Sequence, residues 1–377
     1  MKKITKLLII LIIIFPVNLF GESRLNIKIG PSNEANKVIN ISSDSNFTIN
    51  SSDFTEITKT NQKDLSINFT QDKIFLSGKN FKMENFPSDG SLLINSDKPI
   101  KVDNLKRSYL GALSFRINNG KLDIINNIDM ENYLRGILPK EMSPSFPKEA
   151  LKAQAVTSRS FALSNINKFI KKGYNLDDTT SCQVYRGSSC YDKRTDEAIK
   201  CTKDQVLTYK GKIAETIFGA SSGGYIADAS EVWGGDSLDY LKAKEDPYST
   251  YQWDTLISDN ELSKFELGKI YNIEIKEFDN SGRAKKIIVT GQNGLKEFTG
   301  NQFRNKLGSM KIKSTLFEII NLGDSFSLKG KGFGHGVGLS QYGASAMAKN
   351  NFNYKEILNF YFPGTELENL DGLNENK

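Results

Sequence analysis

From residue 22 the chain runs through short stretches in which apolar and polar residues alternate. Leu25-Asn-Ile-Lys-Ile29, Asp64-Leu-Ser-Ile-Asn-Phe69 and Lys73-Ile-Phe-Leu-Ser77 place their apolar side chains at period two, which puts them on one face of a strand. Turn-forming Asn, Ser and Asp separate these stretches up to about Leu105, predicting a small all-β region. The pattern changes near Arg107. Residues 112–117 and 121–125 read as strands joined by a tight turn at Asn118-Asn119-Gly120. The strongest helix signal follows. Ser145 is its expected cap, Pro147 and Glu149 suit its first turn, and Gly173 is placed to stop it. Ala150, Ala153, Ala155, Ser158, Ser160, Ala162 and Ser164 along it are small, so neighbouring backbone can approach closely and the helix should be largely buried. Further strands are predicted over 206–209, 213–218, 271–278 and 283–289, the last two joined at Asp279-Asn-Ser-Gly282, and helices over 341–350 and 354–362.

The expected fold class is α+β: a mixed domain with β hairpins around a long buried helix, preceded by a small all-β N-terminal region. The expected divisions are a signal peptide (1–21), a β-rich accessory region (22–105), a catalytic domain (106–367) and a polar tail (368–377). No internal repeat is visible. The signal peptide rests on Lys2, Lys3 and Lys6 ahead of the apolar run Leu7 to Phe15, which Pro16 breaks. That run is shorter than the roughly 20 residues of a membrane span. It predicts an exported protein that meets the membrane only through this segment.

The 377 residues are 38% hydrophobic and 25% charged, as in a soluble globular protein, with a net charge of +6. Half of that surplus is the three leader lysines, so no dense basic patch remains and nucleic acid is a poor partner. Cys182, Cys190 and Cys201 fall within one short segment. Two of them could pair in an oxidising compartment, or the thiolates could hold zinc, although the chain's single histidine, His335, is far away.

The richest motifs are Glu131-Asn-Tyr-Leu-Arg-Gly-Ile-Leu-Pro-Lys-Glu-Met142, running into Glu149-Ala-Leu-Lys-Ala-Gln-Ala-Val-Thr-Ser-Arg-Ser-Phe-Ala-Leu163. Cys182-Gln-Val-Tyr-Arg-Gly187, Ala220-Ser-Ser-Gly-Gly224 with Trp233, and Gly332-Phe-Gly-His-Gly-Val-Gly-Leu-Ser-Gln-Tyr-Gly-Ala344 before Tyr361-Phe-Pro-Gly-Thr365 follow in order. Together they resemble the SpoIID/LytB family, named for stage II sporulation protein D, over about residues 107–367. The resemblance implies a lytic transglycosylase acting on peptidoglycan glycan strands, or a module that stimulates a cell-wall amidase. It implies no cofactor and no metal. Carried over by position, the family's catalytic glutamate falls on Glu141, the arginine of its long helix on Arg159, and the tyrosine and lysine after its tryptophan segment on Tyr240 and Lys242.

The residues themselves support the chemistry. Cleaving a glycosidic bond needs an acid at the leaving oxygen, and hydrolases add a second carboxylate. A lytic transglycosylase dispenses with the second, because the sugar's own 6-hydroxyl closes an anhydro ring, so one carboxyl serves as acid and then as base. Glu141 lies in a loop before a buried helix, where partial desolvation raises its pKa towards neutrality. Arg159, among small and apolar helix residues, has two readings: a buried salt bridge, with Glu141 as one candidate partner, or a site for the substrate's carboxylate. Either Arg159 or Lys242 could take the free lactyl carboxylate that muramic acid exposes once its stem peptide is removed, which would favour denuded strands. His335, between Gly334 and Gly336, is either a cleft wall touching substrate or Glu141, or a structural histidine bonded to backbone. Ser340 lacks the glycine that a nucleophile elbow needs, and the Gly332–Gly338 stretch lacks the Lys-Ser/Thr ending of a phosphate loop. Tyr240 is retained as a sugar-stacking candidate; Trp233, Tyr342 and Tyr361 are weaker ones.

Overall fold

A computed structural model describes residues 24–371 apart from positions 36, 71 and 324, so the predicted signal segment lies outside the described residues. The fold is α+β, with a strand-rich N-terminal region. A seven-stranded sheet orders its strands Leu176–Asp177, Arg24–Asn33, Lys121–Asp129, Ala112–Asn118, Leu92–Ser96, Phe47–Ser51 and Glu56–Lys59. A six-stranded sheet has Ile39–Ser42 and Asp64–Phe69 at its centre, with Ile74–Gly78 beside the latter. In Asp64–Phe69, Leu65, Ile67 and Phe69 are buried while the residues between them are not, as the period-two pattern requires. The hairpin of Ala112–Asn118 and Lys121–Asp129 turns at Asn119 and Gly120, with φ of 50° and 72°. Two positive φ values define the turn whose twist matches paired strands.

Strands from either side of residue 105 share the larger sheet. Arg24 pairs with Asp129 and Ile29 with Ile124, antiparallel, while Ile27 pairs with Leu176 in parallel. The N-terminal segment and the segment carrying the motifs therefore contribute to one continuous apolar core. A second core lies within the 253–328 stretch, around Phe265, Ile287, Val289, Phe303 and Leu328. It is enclosed by two three-stranded sheets and the helix Gly300–Leu307. At the C-terminal end, Glu366–Asn369 pairs with Gln205–Tyr209, so the predicted polar tail begins inside a strand.

Three helices position the motif residues: α1 (Met130–Arg135), α2 (Leu138–Glu141) and α3 (Lys148–Ser164). Burial of α3 follows its small residues, for only Lys148, Glu149, Lys152, Phe161 and Ser164 escape full burial. Its ends differ from the expectation. Pro147 occupies the N-cap, and Ser145 bonds to Ser143 instead. The helix stops at Ser164, and Gly173 ends a separate turn over Ile170–Lys172. The predicted strand over 213–218 is also divided: Lys212–Ile213 pairs with Gln205–Tyr209, and Phe218–Gly219 with Leu339–Ser340.

Candidate active site

Asp129 opens the site by capping α1, its carboxylate accepting the Asn132 N–H at 3.0 Å. The chain turns at Gly136 into α2, where Ile137, Leu138 and Met142 are buried. These apolar anchors fix the backbone of this short helix and leave Glu141, its last residue, facing a cavity of about 520 Å³. Phe161, Asn165, Lys168, Thr180–Cys182, Val184, Glu215, Ile217, Phe218, Trp233 and His335 form the rest of its lining.

The Cys182–Gly187 motif holds the carboxyl in place. Tyr185 is fully buried between Tyr109 and Tyr133, with ring centroids at 5.9 and 5.1 Å, and donates to Asn126 Oδ1 at 2.6 Å. A side chain at position 136 would collide with this ring, its Cβ lying 2.4 Å from Tyr185. The Arg186 N–H donates to Gly136 O at 2.9 Å, closing the loop over the α1–α2 corner. Immediately ahead of these two pins the Val184 N–H donates to Glu141 Oε1 at 2.7 Å. Burial pushes the Glu141 carboxyl above its ordinary pKa, opposed by the Val184 bond and the charge of Arg186. A carboxyl raised by burial yet fixed by one N–H suits a group that must hold and release a proton at a defined point.

His335 lines the same cavity with both ring nitrogens engaged. Nδ1 accepts the Val337 N–H at 3.0 Å, which leaves Nε2 as the donor to Phe218 O, also at 3.0 Å. Burial, together with the charges of Arg283 and Arg304, brings its pKa down to about 4 against the pull of the Phe218 bond. It is a neutral imidazole, fixed in one tautomer by backbone, and its ring lies 5.0 Å from that of Trp233. Trp233 is 54% exposed, and a large aromatic left in solvent at a cavity mouth is the form of a sugar-stacking platform.

Arg159 does not reach the cavity lining. It is wholly buried and forms a two-pronged pair with Glu131, Nε to Oε1 and Nη2 to Oε2 both at 2.8 Å, while Nη1 donates to Gln205 O at 2.9 Å. Each guanidinium nitrogen is engaged within the fold and the side chain lies away from the cavity lining, which argues against the substrate-carboxylate reading; its partner is Glu131 rather than Glu141. Tyr240 is also buried; its hydroxyl accepts the Glu215 N–H at 3.1 Å, so it sits behind the wall instead of stacking on a ligand. Lys242 pairs with Asp239 at 3.1 Å and is absent from the cavity's described lining.

Two charged lining residues were not singled out in the sequence. Lys168 is the one Lys or Arg among the described lining residues; its ammonium donates to Ser181 O and stands 5.7 Å from the Phe169 ring. Glu215 brings a second carboxylate. Among the described residues the three cysteines are unbridged, and no group of three or more His, Cys, Asp or Glu side chains is placed to hold a metal. No described helix is long and apolar enough to cross a membrane.

Residues 118–209 match the family described as Stage II sporulation protein, and residues 248–338 match a domain of unknown function, DUF8618. An uncharacterized protein of Brachyspira hyodysenteriae is 34% identical over 277 residues, covering 71% of this chain and 74% of that protein. The stage II sporulation protein D of Bacillus subtilis is 31% identical over 302 residues, covering 73% of this chain and 84% of the relative. The amidase enhancer of the same bacterium is 31% identical over 289 residues, covering 62% of this chain but only 40% of the enhancer.

Proposed function

Because the chain belongs to the stage II sporulation protein D family, we propose that it is an exported lytic transglycosylase that cleaves the glycan strands of bacterial cell-wall peptidoglycan. The observation that carries this reading is the Glu141 carboxyl, raised by burial, fixed by the Val184 N–H, and lining a cavity beside Trp233 and His335.

In this reaction Glu141, protonated, gives its proton to the glycosidic oxygen as the bond to the muramic sugar's C1 breaks. The 6-hydroxyl of that sugar then forms the new bond to C1 and returns a proton to the Glu141 carboxylate. No water is consumed and the enzyme is restored. His335 takes no part in the proton transfers, because both nitrogens are already bonded to backbone; its ring and that of Trp233 form the wall on which a sugar rests. Lys168 replaces Arg159 and Lys242 as the group for the lactyl carboxylate of a denuded strand. Its ammonium keeps donors beyond the one given to Ser181 O, and the cavity's other charged lining residues, Glu141 and Glu215, are acids.

Glu215 raises hydrolysis as a competing chemistry, since a second carboxylate could activate water. A different reading, favoured by the likeness to the amidase enhancer, is a glycan-binding protein that stimulates a cell-wall amidase. Mass spectrometry of products from denuded peptidoglycan separates all three. Anhydro-muramic ends that vanish in Glu141→Gln support the transglycosylase. Reducing ends point to hydrolysis, and intact glycan together with a stimulated amidase points to the enhancer.

A further inference from the structure

Arg283 is a buried charge that the proposed chemistry does not use. It ends the turn between the strands Ile270–Phe278 and Ala284–Gly291, where Asp279 Oδ1 accepts the backbone N–H groups of Ser281 and Arg283 at 2.8 and 2.9 Å. From this turn its side chain, 1% exposed, runs out of the 248–338 segment's own hairpin and beneath the cavity wall. Nη1 donates to Tyr225 O at 2.9 Å and Ser281 Oγ at 2.7 Å, and Nη2 to Ser222 O at 2.7 Å. Nε has no partner. Every acceptor is a neutral oxygen.

The guanidinium lies where two chain segments are zipped together. Ser221 and Phe333 exchange backbone hydrogen bonds, and the Ala227 N–H donates to Gly336 O at 2.9 Å. Gly336, at φ +80°, leaves room for the arginine: a Cβ there would stand 2.0 Å from Nη2. One zipped segment leads directly into the short helix Ala229–Trp233, and the other contains His335.

We propose that Arg283 is a positioning residue, by which the 248–338 segment plugs a guanidinium fork between residues 221–227 and the Gly332–Gly338 loop and so fixes Trp233 and His335 as the wall of the Glu141 cavity. This gives the second apolar core a task in the same site: it anchors the strand from whose turn the fork projects. Stability is a poor reason for the residue. A buried guanidinium with an idle Nε and no carboxylate hydrogen-bonded to it costs desolvation that a methionine of similar length would avoid. What a methionine cannot do is bond two carbonyls of one segment while filling the space beside Gly336.

The role in catalysis rests on the transglycosylase reading, but the placement of the wall can be measured without it. His335 is the chain's single histidine, so the imidazole gives one set of nitrogen and proton resonances. In Arg283→Met those resonances should shift and the imidazole should titrate closer to its ordinary pKa, because a neighbouring positive charge is gone. The melting temperature should fall by several degrees, because Ser222 O and Tyr225 O lose their donor. On denuded glycan strands kcat should fall about tenfold with KM within about twofold, as expected for a displaced wall. Gly336→Ala, which pushes on the fork from the other side, should move the same resonances, and the double variant should do less damage than the two single effects combined. Arg283→Lys supplies the comparison should Arg283→Met fail to fold. A folded Arg283 variant whose imidazole resonances and titration match the parent's overturns the proposal, as does a double variant whose effects simply add. If the chain cleaves no glycan, the transglycosylase reading fails while the imidazole measurement still decides this one.

Discussion

Replacing Glu141 by glutamine removes the proton and little else. The new side chain keeps an oxygen where Oε1 accepts the Val184 N–H, so the loop over α1 and α2 stays pinned. A positioned general acid contributes about 10²–10⁴ in rate, which corresponds to roughly 3–5 kcal/mol of barrier. Formation of anhydro ends should fall by that factor in Glu141→Gln. Stability should move the other way. Burial raises the folded-state pKa of Glu141 above its unfolded value, so the folded state binds the proton more tightly and stability declines as pH rises from the unfolded pKa to the folded one. Glutamine carries no such penalty, and the variant should melt at or above the parent's temperature near neutral pH. Glu141→Ala should be equally inactive yet less stable by about 1–3 kcal/mol, because the Val184 N–H then loses its acceptor. The parent's activity should decline as pH rises through the folded pKa of Glu141, since the acid form opens the reaction. The assay is mass spectrometry of glycan products alongside thermal melts of the three proteins. Undiminished anhydro product from Glu141→Gln would refute the assignment.

Other expectations follow from neighbouring residues. Lys168→Ala should lower kcat/KM about tenfold on denuded strands and little on strands whose lactyl carboxylates are methyl-esterified, in line with one desolvated charge-assisted bond; equal loss on both would remove Lys168 from substrate recognition. Arg159→Ala should lower the melting temperature by roughly 6 °C or more, because Glu131 would be left as a partly buried charge without its partner; a stable, folded variant with selectively weakened binding would restore the substrate reading. The His335 pKa is depressed to about 4 in the folded protein, so its contribution to stability is present above about 6.5 and lost as pH falls from there towards 4. Melts of the parent and His335→Gln across that window should converge at the acid end, and parallel curves would contradict the neutral imidazole.

Much of this site could be read from the chain, and the failures have physical causes. Period two located the strands, and Asn119-Gly120 announced its turn, because these are local signals. The desolvation of Glu141 followed from its place ahead of a helix of small residues. The partner of Arg159 was not legible, because Glu131 and Glu141 occupy the same motif and spacing alone does not say which faces the helix. Lys168 was hidden because it reaches the cavity only when α3 ends at Ser164; a helix running on to Gly173 would carry it elsewhere. Glu215 lies in the break between two short strands that the sequence suggested as one. Arg283 meets acceptors about 60 residues away in the chain, at 222 and 225, and no periodicity encodes that meeting.

The pairing of Arg24–Asn33 with strands far along the chain also sets a schedule for folding. Leu25, Ile27 and Ile29 wait for Ile128, Asn126 and Ile124 on one side and for Leu176 on the other. At synthesis rates of about 5–20 residues per second, the antiparallel partner follows roughly 5–20 s later. During that interval a strand with one greasy face has no mate, and contacts of such long sequence separation close slowly. The apolar face of this strand therefore stays without its native cover until well past the hundredth residue of the nascent chain.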